Sequence, residues 1–325
     1  MKPDSDEIKD FLTELSEQDW LGRVRSKWVN FSYHFSEISN AIEILKTGKI
    51  RCRADLENDS SLPVDMACVD IISQTDKEVK ESVRLYFRPL TPTQFHMEGF
   101  RPISEISKNS HCRVPIFFLF DSREILCRSD SRFSEVNLSI FGTKDTLRSK
   151  ASHLKAFNFR DIYHDGPFSS ENRARIIAHR NAEIVVPREL DLSALRYIIC
   201  RSEAEKETLI HLLPPDLIKK WGSRIYVGPN LYRRRWVFIE TAMLFKQKAD
   251  FMFSPDAEIS EPFFAEVIIR SGMRSKTLQN KAFKGLDKVS VNFGEDFMQY
   301  EIEFLLDEHI AYAGKFDGRV DEIPF

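Results

Sequence analysis

Three side chains stand where a strand meets a turn, and together they could perform polar chemistry on a bound ligand. Glu183 leads the apolar part of Asn181-Ala182-Glu183-Ile184-Val185-Val186-Pro187, where a helical run (Glu171 to His179) turns at Arg180-Asn181 into a short strand. A carboxylate at the head of a buried Ile-Val-Val strand carries a desolvation cost unless it faces a cleft; in a cleft it can accept a proton or offset a developing positive charge. His34 lies in Tyr33-His34-Phe35, at a strand end just before a helix, a common place for ligand-facing side chains. Arg88 flanks Pro89-Leu90-Thr91-Pro92, a turn because two prolines cannot continue a ladder. Its guanidinium offers paired donors in a fixed fork, which suits phosphate. Aromatic Tyr33, Tyr86 and Phe95 are close by in sequence. Each residue also has an ordinary reading: a hydrogen-bonded core histidine, a surface arginine, a solvated glutamate. No P-loop, GxGxxG, HExxH or GxSxG motif competes with them.

The elements that would position these residues follow from periodicity. Residues 5–20 read as an amphipathic helix with Ile8, Phe11, Leu12 and Leu15 on one face. Trp28 to Phe35 alternates as a strand, placing His34 on the face opposite Tyr33 and Phe35. Ser36 is the expected cap of a helix carrying Ile38, Ala41, Ile42 and Leu45, with Gly48 as its stop. Residues 54–80 read as a mobile loop with one apolar segment, Val69 to Ile72. Val83, Leu85 and Phe87 mark another strand, and the continuous apolar run Val114 to Phe120 a buried one. Residues 121–170 hold helix and loop material; Leu195 to Cys200 is a further strand and Glu203 to Leu213 a helix.

Pro214-Pro215 is the expected domain boundary, dividing residues 1–215 from 216–325. Beyond it come strands at Trp236 to Phe245, Phe263 to Ile269, Val289 to Phe293 and Tyr300 to Leu306, separated by Gly-containing turns, as in an antiparallel sandwich or barrel. The basic run Arg233-Arg234-Arg235, flanked by Tyr232 and Trp236, mixes charge with aromatics as nucleic-acid grooves do; a charge-guarded strand edge is the ordinary alternative.

Composition sets wide bounds. A chain of 325 residues with 42% hydrophobic and 30% charged residues has the makings of a soluble globular protein with a sizeable core. The net charge of −3 gives no bulk argument for a nucleic-acid partner, so any such partner needs a local basic patch. Five cysteines without CxxC spacing read as reduced thiols, not as zinc ligands, and no metal-ligand spacing is present. No run approaches the roughly 20 apolar residues of a membrane helix. The acidic start, Met1-Lys2-Pro3-Asp4-Ser5-Asp6-Glu7, lacks an apolar signal segment, so a cytoplasmic protein is expected. Phenylalanine is over-used at 26 residues, which suits β-rich cores before stacking surfaces.

Tyr33-His34-Phe35 before a helix, then Leu85-Tyr86-Phe87-Arg88-Pro89-Leu90-Thr91-Pro92, then Asn181-Ala182-Glu183-Ile184-Val185-Val186-Pro187 resemble, in this order, the DarT toxins over about residues 25–210. Those are NAD-dependent ADP-ribosyltransferases that modify bases in single-stranded DNA. The resemblance implies an α+β fold: a split mixed ADP-ribosyltransferase sheet with helices, followed by a smaller, mostly antiparallel β domain outside the resemblance. It implies Glu183 as catalytic carboxylate, His34 on the adenosine ribose of NAD, and Tyr33, Phe35, Tyr86 and Phe95 around the same cofactor, with no metal. The family places an arginine directly after the proline of its Tyr-Phe-x-Pro turn, where this chain has Leu90; Arg88 would then supply the guanidinium for catalysis and for the diphosphate. A carboxylate near the nicotinamide ribose would stabilise an oxocarbenium-like transition state and take the proton of the attacking base. Arg123, Arg128 and Arg132, with the loop 54–80, would line the side from which nucleic acid approaches. A macrodomain-type antitoxin is the implied partner, and phage defence the implied setting. The same chemistry on RNA or a protein side chain, and a nucleic-acid-binding protein that has lost catalysis, are the alternatives.

Overall fold

Alternation from Phe31 onward forms strand β1 (Phe31–Glu37) in the computed structural model, which describes residues 1–58, 75–102, 104, 106, 111–138, 143–254, 259, 261–285 and 287–318. Cys68, the segment Val69 to Ile72 and most of the loop expected around them lie outside the described residues. β1 starts later than alternation suggests, because Trp28 closes a short helix, Gly22–Trp28, and is buried there. It also ends later. Glu37, not Ser36, caps the next helix (Ile38–Thr47), its carboxylate accepting from the Ser39 N–H at 2.7 Å. That helix buries Ile38, Ala41 and Leu45 and stops at Gly48, whose φ of 71° is the left-handed value a helix C-terminus favours.

The chain divides into two compact units, one made chiefly of Met1–His96 and Phe117–Ile199, the other of the chain from Met97, His111–Ile116 and everything from Cys200 onward. In the first unit β1 is followed by β2 (Lys49–Arg51), β3 (Ser82–Tyr86), β4 (Pro115–Asp121), β5 (Arg132–Ser134), β6 (Glu183–Pro187), β7 (Glu189–Asp191) and β8 (Leu195–Cys200). Six of these run side by side in the order β5-β6-β3-β1-β4-β8, while β2 and β7 form a separate antiparallel pair. The sheet is buried because its central strands are apolar on both faces: Ile116 to Phe120 on β4 and Ile184 to Val186 on β6 are all inaccessible or nearly so. The first helix, Ser5–Ser16, buries Ile8, Leu12 and Leu15.

In the second unit the chain at Pro214-Pro215 begins a helix. Pro215 is the first residue of Pro215–Trp221, where its missing N–H has no partner to lose. The strands here are β9 (Ile225–Val227), β10 (Ile239–Leu244), β11 (Lys248–Phe253), β12 (Phe263–Ser271), β13 (Arg274–Phe283), β14 (Lys288–Asn292), β15 (Tyr300–Leu306) and β16 (His309–Phe316). β10-β11-β14 and β13-β12-β15-β16 are two antiparallel sheets, the antiparallel β region anticipated for this part of the chain. Phe251, Phe253, Phe283 and Phe304 pack as an aromatic core with ring centroids 5.0 to 5.7 Å apart. Phenylalanine serves the cores of both units. Cys52, Cys112, Cys127 and Cys200 are buried free thiols. Among the described residues no helix is long and apolar enough to cross a membrane.

Candidate active site

Strand register assembles the site. Tyr86 on β3 lies opposite Glu183 on β6 and opposite Tyr33 on β1, and Ser134 on β5 lies opposite Glu183 from the other side. Residues directly opposed in antiparallel strands share a face, so Tyr33, Tyr86, Glu183 and Ser134 form one row across four strands. Arg84, two residues before Tyr86, is on the same face and diagonal to Glu183.

That diagonal is filled by a fork. Arg84 Nε donates to Glu183 Oε2 at 2.7 Å and Nη2 to Oε1 at 2.6 Å. Glu183 does not face an open cleft as its sequence position suggested: it is 0% exposed, while the Arg84 side chain above it keeps 28% of its surface in solvent. A bidentate partner is what makes a buried carboxylate tolerable. Burial works against the charge on Arg84, but the Glu183 carboxylate, together with Tyr86, outweighs it and raises its pKa. The Tyr86 hydroxyl is pushed up to about 12, by burial first and then by the negative charge of Glu183, and it pairs with Thr93.

A second set of contacts fixes the two strands that carry this pair. Asn181 is 4% exposed, and its Oδ1 accepts from Thr93 N at 3.2 Å and Thr93 Oγ1 at 3.1 Å. Thr93 lies in the first turn of the helix Pro92–Met97, so the residue two before Glu183 caps the helix whose threonine reaches Tyr86. Ser134 Oγ shares a hydrogen bond of 2.7 Å with Thr146 Oγ1.

The other sequence-derived residues take no part in the Arg84–Glu183 fork. His34 is half-buried, with Nδ1 3.0 Å from the Arg84 carbonyl oxygen. A carbonyl only accepts, so Nδ1 carries the proton and Nε2 is the acceptor nitrogen; burial lowers the pKa and favours this neutral form. Alternation puts His34 on the face opposite the Tyr33–Tyr86–Glu183 row, and it meets the site through the Arg84 backbone. Tyr33 is 1% exposed, with the Phe31 and Phe117 rings edge-on at 6.4 and 6.1 Å. Phe35 stacks on Tyr86 at 6.3 Å. Phe95 lies on the surface of the Pro92–Met97 helix beside His96.

Arg88 lies inside the fold. It is 1% exposed, and it donates to the carbonyls of Pro89 at 3.0 Å, Ile162 at 3.0 Å and His164 at 2.5 Å beneath the Trp28 ring. It pins a turn, and Arg84 is the guanidinium that meets Glu183. The expected DNA-facing arginines are engaged too: Arg123 with Asn30 and Thr13, Arg128 with Asp130, Arg132 with Glu78. Arg84 and Asn181 were the residues missed. A charged residue alternating with Val83 and Leu85 on an otherwise apolar strand was the available signal for Arg84.

A family model described as DarT, ssDNA thymidine ADP-ribosyltransferase, matches residues 33–233. No curated protein matches the sequence. Among solved structures, the chain is similar to Thermus sp. 2.9 DarT in complex with ADP-ribosylated ssDNA, at 14% identity and a TM-score of 0.47, covering 62% of this chain and 96% of that one. It is also similar to the same protein in complex with NAD+, at 14% identity and a TM-score of 0.44, covering 62% and 97%. Thermosipho africanus DarTG in complex with ADP-ribose matches at 15% identity and a TM-score of 0.46, covering 66% of this chain and 53% of that one.

Proposed function

The chain belongs to the DarT family of single-stranded-DNA thymidine ADP-ribosyltransferases, and from that premise we propose that it transfers ADP-ribose from NAD to a thymidine base in single-stranded DNA, with Glu183 as the acting carboxylate. The observation that carries the residue assignment is a carboxylate held without solvent under a single bidentate guanidinium, beside a stacked aromatic pair. In the reaction the bond from ribose C1′ to the nicotinamide nitrogen breaks, and the electron pair leaves with nicotinamide. A new bond forms between C1′ and a thymine ring nitrogen. N1 of thymidine is already glycosylated, so N3 is the ring nitrogen that has a proton to lose. A carboxylate next to C1′ stabilises the oxocarbenium-like state and takes that proton.

Arg84 is the partly exposed member of the pair, so a ligand meets it first. A diphosphate that draws the guanidinium outward would free Glu183 for the ribose. We assign catalysis to residues 1–215 and an accessory role to residues 216–325. The enzyme is the toxin of a toxin–antitoxin pair acting in phage defence in the cytoplasm, with a macrodomain-type partner that removes the modification. DNA is favoured over RNA because the family description specifies single-stranded DNA. Mass spectrometry of matched DNA and RNA oligonucleotides after incubation with NAD tests this: one ADP-ribose on thymidine-containing DNA is expected, and unmodified DNA with wild-type protein overturns it.

A further inference from the structure

The turn Tyr163-His164-Asp165-Gly166-Pro167-Phe168 lies outside the Arg84–Glu183 fork, yet it is held by the chain next to both of that pair's strands. Just beyond β3, the Arg88 guanidinium donates to the carbonyls of Ile162 and His164, at 3.0 and 2.5 Å. Just before β6 comes Arg180. Its Nη2 donates to His164 Nδ1 at 2.7 Å and to the Gly166 carbonyl at 2.9 Å, and its guanidinium lies 5.1 Å from the Phe168 ring centroid. Gly166 permits the reversal, with a φ of 110° that other residues rarely adopt. From the helix Gly22–Trp28, Arg25 donates to the Tyr163 carbonyl at 3.1 Å. One residue therefore joins the end of β3 to the approach to β6: the His164 carbonyl serves Arg88, and the His164 ring serves Arg180. The Tyr86–Glu183 pairing sits directly inside that bridge.

Only one form of the ring can make it. A guanidinium has no acceptor and keeps its protons, so Nδ1 must accept and Nε2 must carry the hydrogen. A protonated ring has an N–H on both nitrogens and would aim one of them at Arg180. The surroundings oppose that form. Burial lowers the His164 pKa from its ordinary value, and so does the positive charge of Arg180 at the end of the helix Arg173–His179, of Arg88 beyond β3 and of Arg25; Asp165 in the same turn acts against them. The bridge is whole above the ordinary histidine range, about 6.5, and is lost as pH falls through the lower value of the folded protein.

We propose that His164 is a positioning residue for transfer: its neutral ring holds Arg180 while its carbonyl holds Arg88, which keeps the Arg84 and Glu183 strands in working register, and protonation of the ring in acid releases them. The proposal rests on the reading of the chain as a transferase acting through Glu183. The test compares wild type, His164→Asn and His164→Ala as full chains, following transfer to a thymidine-containing single-stranded oligonucleotide across about pH 5 to 8, the span in which histidine titrates. NAD affinity, the unfolding midpoint and the histidine ring nitrogens, read by NMR, are measured alongside. Asparagine keeps an accepting oxygen near the place of Nδ1 but does not titrate. Wild type should lose kcat on the acid side with NAD affinity little changed. The asparagine variant should keep most of the neutral-pH rate and lose the acid limb, while the alanine variant should be about 10- to 100-fold slower per folded molecule. The ring signal missing from the asparagine variant should show, in wild type at neutral pH, a bare Nδ1 and a protonated Nε2. An acid limb unchanged in His164→Asn, or a wild-type rate in His164→Ala, overturns the positioning role, and a proton on Nδ1 at neutral pH overturns the bridge itself. Wild type that transfers at no pH overturns the transferase reading, and the positioning role falls with it.

Discussion

Arg84 and Arg88 are four residues apart in sequence, and where β3 ends decides their roles. Arg84 lies within the strand, so alternation commits it to the Tyr86 face and the diagonal to Glu183. Arg88 lies beyond Tyr86, where the chain turns, and its guanidinium is used up on backbone carbonyls. Removing each should therefore fail differently. Arg84→Ala leaves Glu183 buried without its counter-charge, at a cost of about 3–5 kcal/mol, and should remove transfer in whatever remains folded. Arg88→Ala strands buried carbonyl acceptors at about 1–3 kcal/mol each, and should lower the urea midpoint while the folded fraction keeps its NAD affinity. Urea unfolding alongside NAD binding separates the two. An Arg88 variant of normal stability with lost NAD binding would restore the role its sequence position suggested.

At the scale of elements, the helix Pro92–Met97 and the strand β6 are joined by Asn181, whose side chain serves Thr93 from 88 residues away in sequence. Asn181→Ala should cost about 1 kcal/mol, the usual worth of a lost cap, and lower kcat with little change in NAD affinity. Asn181→Asp, which keeps the accepting oxygen, should recover most of the rate; equal kcat in Asn181→Ala and wild type would remove Asn181 from the positioning of Glu183. What was legible in sequence follows the same division. β1, β4, β6 and the helix after β1 carry periodicity in their own residues, and Glu183 stood out as a polar residue at the head of an apolar run. The Arg84–Glu183 fork was not legible, because its members are 99 residues apart and only the register of β3 on β6 brings them together. β13 was invisible for another reason. Its Arg274 to Lys281 stretch is polar and largely exposed on both faces, so no alternation marks it, and its partner β12 supplies the order.

Across the whole molecule the candidate site lies within one compact unit, on strands whose spacing is set by packing and not by loops. The second unit carries its own aromatic core and its own buried charge network. Fold class was recoverable because both halves announce their strands by apolar pattern. A proline at the first turn of a helix and a proline between elements look the same in sequence, and Pro215 is the former. The decisive measurement is made on the full chain: wild type and Glu183→Gln are incubated with NAD and a thymidine-containing single-stranded oligonucleotide, and adduct formation is followed by mass spectrometry. Glu183→Gln keeps the size of the side chain and one accepting oxygen but removes the charge that stabilises the transition state. Transfer per folded molecule should fall about 100- to 1000-fold with NAD affinity close to wild type, while the unfolding midpoint drops because Arg84 loses its counter-charge. Transfer by Glu183→Gln at near wild-type rate would contradict the assignment of Glu183 as the acting carboxylate.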